Sequence, residues 1–557
     1  MTPQCSFGIR RFPLAFSFAH QNFKPSVRSN LSGKMIALVI FDLICSHHFI
    51  ALISSILLLL VLRFYIFVYF IDSFRLRRLP GPFLAKFSRL WLAYISRRGR
   101  RYQSIHQAHL KYGKIIRIAP NEISIADPDA TPIVLGHGTR TTKSDFYDAF
   151  VSVRRGLFNT RDRSEHARKR KIVSGTFSQR NVLEFEPLIA SIIQTFIKKW
   201  DQLSISPTFQ RETLINSWKS IDCLPWLNFL AFDIIGDLAF GEPFGMVERA
   251  ADVTPVERDG KVIYLSAIDI LNSRGEYSMT LGCLPPFVRP YVAYFDPWFS
   301  RGRENVKNLT GIARNQVNKR LAQPNSSRKD LLARLQEGTD ANGNPMGVEE
   351  LTAEALTQLI AGSDTTSNSS CAILWWIVKH PNVHQKLLKE LDEKLGGMNH
   401  SGVVSYNDSK DLVYLNACIN EGLRRHSTSS IGLPRVMPKT VDFKGHLLIE
   451  GVICSIPTYE IHHDPEIWGD PWVFRPERWL EPDAKKYEAA FLPFSHGPRA
   501  CVGRNLAIMQ LQIIISTLIK RYDFRLKKPD QAELNTREGF LRKPVDCWIE
   551  FKIRSMS

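Results

Sequence analysis

The decapeptide FSHGPRACVG, Phe494 to Gly503, decides how this chain is read. One cysteine stands between two glycines, with an arginine and a phenylalanine close by. A good helix former, RNLAIMQLQIIISTL (504–518), follows at once. Cys501 is therefore expected at the start of a helix, where unpaired backbone N–H groups favour negative charge. A thiolate in that position is a metal ligand. Gly497 and Gly503 let backbone come close to a flat ring. Arg499 can pair with a carboxylate, and Phe494 can shield the sulfur from water. A packed core cysteine needs none of this company.

Working outward, LTQLIAGSDTTSNSSCAILWWIVKH, Leu356 to His380, has the pattern of a long helix with a polar middle. Gly362 costs a helix interior about 1 kcal/mol against alanine. Ser and Thr hydroxyls around it can bond back to carbonyls and open the turn. A loosened polar turn makes room for small molecules; the plain alternative is a kink without chemistry. In NEGLRR, Glu421 and Arg424 are three apart and share a helix face. Alone, that pair reads as a surface ion pair. FRPERW supplies Arg478, HARKR supplies His166 and Arg170, and LPRV supplies Arg435.

The 557 residues have a globular composition, 44% hydrophobic and 23% charged, which excludes a disordered or collagen-like chain. Nine cysteines stand singly with no CxxC pair. That spacing argues against a zinc ribbon or dithiol site and fits a reducing compartment. The net charge of +19 is spread along the chain with no nucleic-acid motif beside it. It reads as a basic solvated face that suits a membrane surface or an acidic protein.

FIALISSILLLLVLRFYIFVYFI, Phe49 to Ile71, is apolar except for Arg63 and has the length of a transmembrane anchor. Arg75, Arg77 and Arg78 follow, then Pro80-Gly81-Pro82. This excess of positive charge after the span places the C-terminal bulk in the cytosol. Residues 1–34 contain no Asp or Glu but carry Arg10, Arg11, Lys24, Arg28 and Lys34. They read as a luminal extension, a mitochondrial presequence, or sequence upstream of a start at Met35. The expected organisation is an extension (1–48), an anchor (49–71), a basic Pro/Gly hinge (72–82) and one domain (83–557). Helical periodicity such as 182–200 dominates that domain, with short strands at 115–119, 121–126 and 452–458. The fold class is mainly α, an α+β domain rich in helix.

The Cys501 loop answers to a haem, with the thiolate on iron and Arg499 on a propionate. The spacing F-x-x-G-x-R-x-C-x-G, complete from Phe494 to Gly503, resembles the haem-ligand signature of the cytochrome P450 family. Glu421 and Arg424 with Arg478, and AGSDTT at 361–366, resemble further motifs of that family. HARKR stands where the family often has W-x-x-x-R, with His166 in place of tryptophan. The resemblance runs from about residue 80 to the C-terminus. It implies a large helix-rich P450 fold with small β-sheets and haem b as cofactor. It implies Cys501 as axial thiolate, with Phe494, Gly497, Arg499, Gly503, Arg170, His166 and Arg435 about the haem. Glu421, Arg424 and Arg478 would lock the structure behind it, and Asp364 and Thr365 would deliver protons during oxygen activation. Electrons would come from NADPH through a separate acidic reductase, at the endoplasmic reticulum membrane.

Four stretches narrow the resemblance: 143–163, 233–246, 275–286 and 351–371. They are similar to the fungal benzoate 4-monooxygenases, which implies para-hydroxylation of an aromatic acid. The same resemblance puts Phe146, Tyr147 and Phe150 in the substrate pocket, with Tyr147, Ser429 and Ser430 as donors to a carboxylate. The alternatives are a tailoring oxidase of fungal secondary metabolism acting on an aromatic or terpenoid substrate, a haem protein without turnover, and a haem-thiolate isomerase. The last two would dispense with Asp364 and Thr365, so the intact pair favours oxygen activation.

Overall fold

The computed structural model describes residues 47–205, 218–323, 330–396 and 402–554. The basic extension through residue 46, with Met35, lies outside the described residues. The chain divides into two units, 1–68 and 69–557. In the first, the apolar sequence forms an α-helix over His47–Val61. A π-helical turn, Leu62–Ile66, follows around Arg63. An α-helical segment, Phe67–Ile71, follows the turn, so the stretch 49–71 is helical throughout. Its large apolar side chains, including Phe49, Ile50 and Leu57 to Leu60, are exposed.

The second unit is built from long helices, of which six position the site. Helix α1 (Arg163–Ser174) starts at Asp162, whose side chain accepts from the Glu165 N–H. Helix α2 (Cys223–Phe240) is capped by Asp222 and stopped by Gly241 in the left-handed region. It is long and apolar enough to cross a membrane, but 83% of it is buried, as befits a core helix. Helix α3 (Ala267–Cys283), helix α4 (Val348–Lys379), helix α5 (Val413–Arg425) and helix α6 (Arg504–Arg521) complete the set.

Helix α4 runs unbroken for 32 residues. The hydroxyls of its polar middle do bond backwards, Thr365 Oγ1 to the Ala361 carbonyl at 2.6 Å and Ser363 Oγ to Leu359 at 2.7 Å. They do not open the helix. Gly362 has a different cause: a Cβ there would lie 2.6 Å from Ile235 Cδ1, so glycine lets α2 and α4 pack backbone to side chain. The periodic stretch 182–200 is likewise not one helix. It breaks after Leu183 and restarts at Glu186, where Pro187 occupies the first turn.

The main sheet has five strands. Strands β1 (Ile115–Ala119) and β2 (Glu122–Ile125) are antiparallel neighbours. Strand β3 (Thr142–Lys143) lies on the far edge. Strands β4 (Arg435–Val436) and β5 (Ile453–Ser455) fill the middle, in the order β1-β2-β5-β4-β3. The register of β3 on β4 sets Lys143 opposite Arg435. A separate hairpin, β6 (Thr536–Glu538) and β7 (Arg542–Pro544), carries Phe540 at its turn.

Candidate active site

Cys501 follows a short 3-10 turn, Gly497–Arg499, and precedes α6, whose cap is Gly503. Its N–H donates to the Phe494 carbonyl at 2.9 Å, which closes the loop. Gly497 has φ of +74°, and a Cβ there would fall 1.8 Å from the Leu135 carbonyl oxygen. Only glycine satisfies both constraints. A Cβ at Gly503 would meet only the Phe177 ring, at 3.9 Å, so no protein atom demands glycine there.

Cys501 is exposed. Yet burial raises its pKa, against partial relief from the Gly503 N–H, Arg170 and Arg504. Cys501 is thus open at its surface while enclosed by a dense shell of protein. Helix α4 has a matching opening: Ala361 is exposed and Thr357, Ile360, Gly362 and Thr365 are half-buried, within a helix otherwise largely buried. Thr357, Ile360, Ala361 and Thr365 share one face, whereas Gly362 turns toward Ile235 on α2.

Around the loop gathers a nest of cations. The Lys143 ammonium donates to the Phe158 carbonyl. Arg170 Nη1 donates to the Ala500 carbonyl at 2.6 Å and Arg499 Nη1 to the Thr160 carbonyl at 2.5 Å. Arg435 Nη1 donates to the Tyr147 hydroxyl at 2.6 Å, while its buried Nη2 has no partner. None of the four is ion-paired to a carboxylate among the described residues. Burial and then Arg435, Arg499 and Arg170 push Lys143 well below the usual lysine range. Burial and the same cations push His166 down to about 3. Such a nest calls for an anionic ligand.

The residues fit a haem: an exposed thiol at a helix start, an exposed stretch on α4, and cations with an orphaned guanidinium nitrogen for two propionates. Lys143, which its own short motif does not single out, belongs to this set through its register with Arg435. Phe494 is half-buried against the main core, with the Arg504 guanidinium 5.7 Å from its ring.

Asp364 is buried and its Oδ2 is 2.6 Å from Lys543 Nζ on β7; the same ammonium donates to Asn272 Oδ1 on α3. Thr365 lies one residue on, half-buried at the open face. Glu421, Arg424 and Arg478 come together with no exposure at all. Glu421 accepts from Arg424 Nη2 at 2.8 Å, Arg478 Nε at 3.1 Å, the Arg475 N–H at 3.0 Å and Trp479 Nε1 at 3.0 Å. Burial alone would raise its pKa; Arg424 and Arg478 outweigh that and hold it below the usual value.

Phe146, Tyr147 and Phe150 are buried in a second core cluster. The Tyr147 hydroxyl accepts from Arg435 Nη1, the Ser430 hydroxyl donates to the Ser427 carbonyl, and Ser429 is half-buried. A separate group of thiols, Cys223, Cys371 and Cys547, converges within 4.8 Å. All three are buried in the core and do not include Cys501.

Fold and loop together define a haem-thiolate protein. The sequence profile of the family described as cytochrome P450 matches residues 79–551, and the chain belongs to that family. It is 48% identical over 511 residues to benzoate 4-monooxygenase bphA of Aspergillus niger, covering 89% of this chain and 96% of that protein. It is 32% identical over 464 residues to cytochrome P450 monooxygenase BOT4 of Botryotinia fuckeliana, with 81% of each chain covered. With cytochrome P450 monooxygenase ORF9 of Penicillium roqueforti it shares 31% over 456 residues, 81% of this chain and 84% of the other. The chain is thus an oxidoreductase, a haem-iron monooxygenase supplied with electrons by a redox partner.

Proposed function

We propose that this protein hydroxylates benzoate, or a closely related arene carboxylic acid, at the para position. The observation that carries the reading is the end-to-end similarity to a protein named benzoate 4-monooxygenase. A second support is an aromatic cluster in which the rings of Phe150, Phe158 and Phe540 pack edge to face within 4.8–5.8 Å of one another. Aromatic pairs of this kind favour a small planar ring among them.

In this reading Cys501 would supply the thiolate ligand to the haem iron, and Arg170, Arg435, Arg499 and Lys143 would pair with its carboxylates. The haem, when bound, supplies the activation of dioxygen. Thr365 orients water at the open face of α4, and Asp364 passes protons to it while Lys543 holds the carboxylate in place. Electrons come from a separate NADPH-dependent reductase that meets the basic surface. The apolar helix at 47–61 and the arginines at 75, 77 and 78 support a membrane anchor with the catalytic unit on the cytosolic side of the endoplasmic reticulum.

The test is a spectral titration of the purified haem protein. Benzoate should convert the haem from low to high spin, and with a reductase and NADPH the product should be 4-hydroxybenzoate. A shift with larger apolar ligands and none with any benzoate would sink this reading and favour a tailoring oxidase.

A further inference from the structure

Helix α3 buries a stripe formed by Ile270, Leu271, Arg274, Tyr277, Ser278 and Leu281. On such a stripe an apolar residue is expected, and a buried charge is the informative exception. Arg274 is 6% exposed. Its Nη2 donates to the Phe150 carbonyl at 2.9 Å, an acceptor already engaged by Asn159 Nδ2. Its Nε is buried without a partner. The guanidinium carbon stands 5.4 Å from the Phe150 ring centroid. No carboxylate is ion-paired to it among the described residues. Burial alone, with no charged neighbour contributing, pushes its pKa down to about 10, so it stays cationic at neutral pH. Outside the propionate nest, this is a buried cation still lacking its anion.

Its place is equally informative. Phe150 packs on Phe158 and on Phe540, and the Phe540 backbone passes close to Gly275, beside Arg274. The turn carrying Phe158 is docked on α4: the Leu157 N–H donates to Glu354 at 3.1 Å, and Gly156 lies against Thr357. Further along α4, Lys543 of β7 is tied both to Asp364 and to Asn272 of α3. The aromatic box is therefore bordered by Arg274 on α3 and by the turn docked on α4, two helices that Lys543 links.

We propose that Arg274 binds the carboxylate of the substrate. The proposal rests on the reading of that substrate as an arene carboxylate. A guanidinium fork takes a carboxylate with two parallel hydrogen bonds, and an anion entering this interior must be paired. The ring would then lie against the cluster of Phe150, Phe158 and Phe540. The para carbon is the ring atom opposite the carboxylate, so an anchor on α3 presents that carbon toward α4. The anchor sets the position of hydroxylation without touching the reacting atom.

The experiment compares full-length, haem-loaded wild type with Arg274→Gln and Arg274→Lys. Dissociation constants for benzoate and for neutral methyl benzoate are read from the spin-state shift and, independently, by equilibrium dialysis. Arg274→Gln should weaken benzoate on the order of 10²-fold while leaving the ester within about threefold. Arg274→Lys, which keeps the charge without the fork, should retain part of the affinity; it carries the test if the Gln variant fails to hold haem. Equal weakening of acid and ester would mean a structural role and overturn the proposal, as would unchanged benzoate binding. A wild type blind to benzoate but responsive to a larger carboxylic acid, with that response lost in Arg274→Gln, would remove benzoate and keep Arg274. A wild type that prefers esters to acids would overturn both.

Discussion

Two groups of cations, one fully buried and one buried or half-buried, are built on opposite principles. Arg424 and Arg478 are fully enclosed, and nearly every N–H they own has an acceptor: Glu421, the His462, Pro471 and Trp468 carbonyls, and Asp470. Arg435, Arg499, Arg170 and Lys143 are also withdrawn from water, but they lean on neutral carbonyls and one phenol, and one guanidinium nitrogen is left over. Burying a charge without a counter-charge costs several kcal/mol. The first group is therefore complete as protein, and the second is complete only with an anionic cofactor. Internal charge balance separates the part of this molecule that holds shape from the part that holds a ligand.

The comparison breaks most visibly at Glu421. Glu421→Gln leaves two buried guanidiniums short of a counter-ion and should cost about 3–5 kcal/mol, read from urea unfolding. A loss under 1 kcal/mol would mean that the carbonyls alone satisfy the arginines.

Glu538 sharpens the contrast from the acidic side. It is buried, accepts the Tyr102 N–H at 2.7 Å through Oε2, and leaves Oε1 without a partner. Burial pushes its pKa up to about 7, against the Tyr102 N–H, Arg101 and Arg542. The unfolded chain ionises this carboxyl near pH 4.5 and the native state resists until about 7. Stability should therefore fall as pH rises through that window, by up to about 3 kcal/mol. Glu538→Gln should flatten that slope in pH-dependent denaturant titrations; an unchanged slope would show that Arg101 and Arg542 already keep the carboxylate charged.

The smallest effect should have opposite signs in two forms of the protein. Arg435→Gln removes an unpaired buried cation, so the haem-free protein should be no less stable, by thermal unfolding. Haem transfer to an apo-globin acceptor should quicken about 10–100-fold, because a charge-assisted hydrogen bond is worth about 1.5–3 kcal/mol. Faster unfolding without faster haem loss would place Arg435 with the structural group.

What the sequence disclosed follows the range of the interactions. The Cys501 loop is legible because ligand, glycines and arginine crowd into ten residues whose identities the chemistry dictates. Glu421 and Arg424 are legible because one helix turn sets their spacing. Lys143 and Arg274 are not, since each is defined by a partner, or by a missing one, that only the folded chain brings near. Gly362 misleads for the same reason: its cause is Ile235 on another helix, not a weakness in its own. The neighbour of Tyr147 is illegible in the linear chain, since only β4 brings Arg435 Nη1 to donate to its hydroxyl.

The Gly497 backbone, pressed against the Leu135 carbonyl, also has a meaning for anyone who would reshape this enzyme by random mutagenesis. At that codon there is no gradient to climb. Every replacement adds a carbon where an oxygen already sits, at a dihedral that side chains resist. The fitness landscape at position 497 is a cliff, and a library spends diversity there without return. His496 and Pro498, both exposed, flank it on open ground. The cofactor loop can therefore be varied on its outer surface, but not at the point where it is pinned.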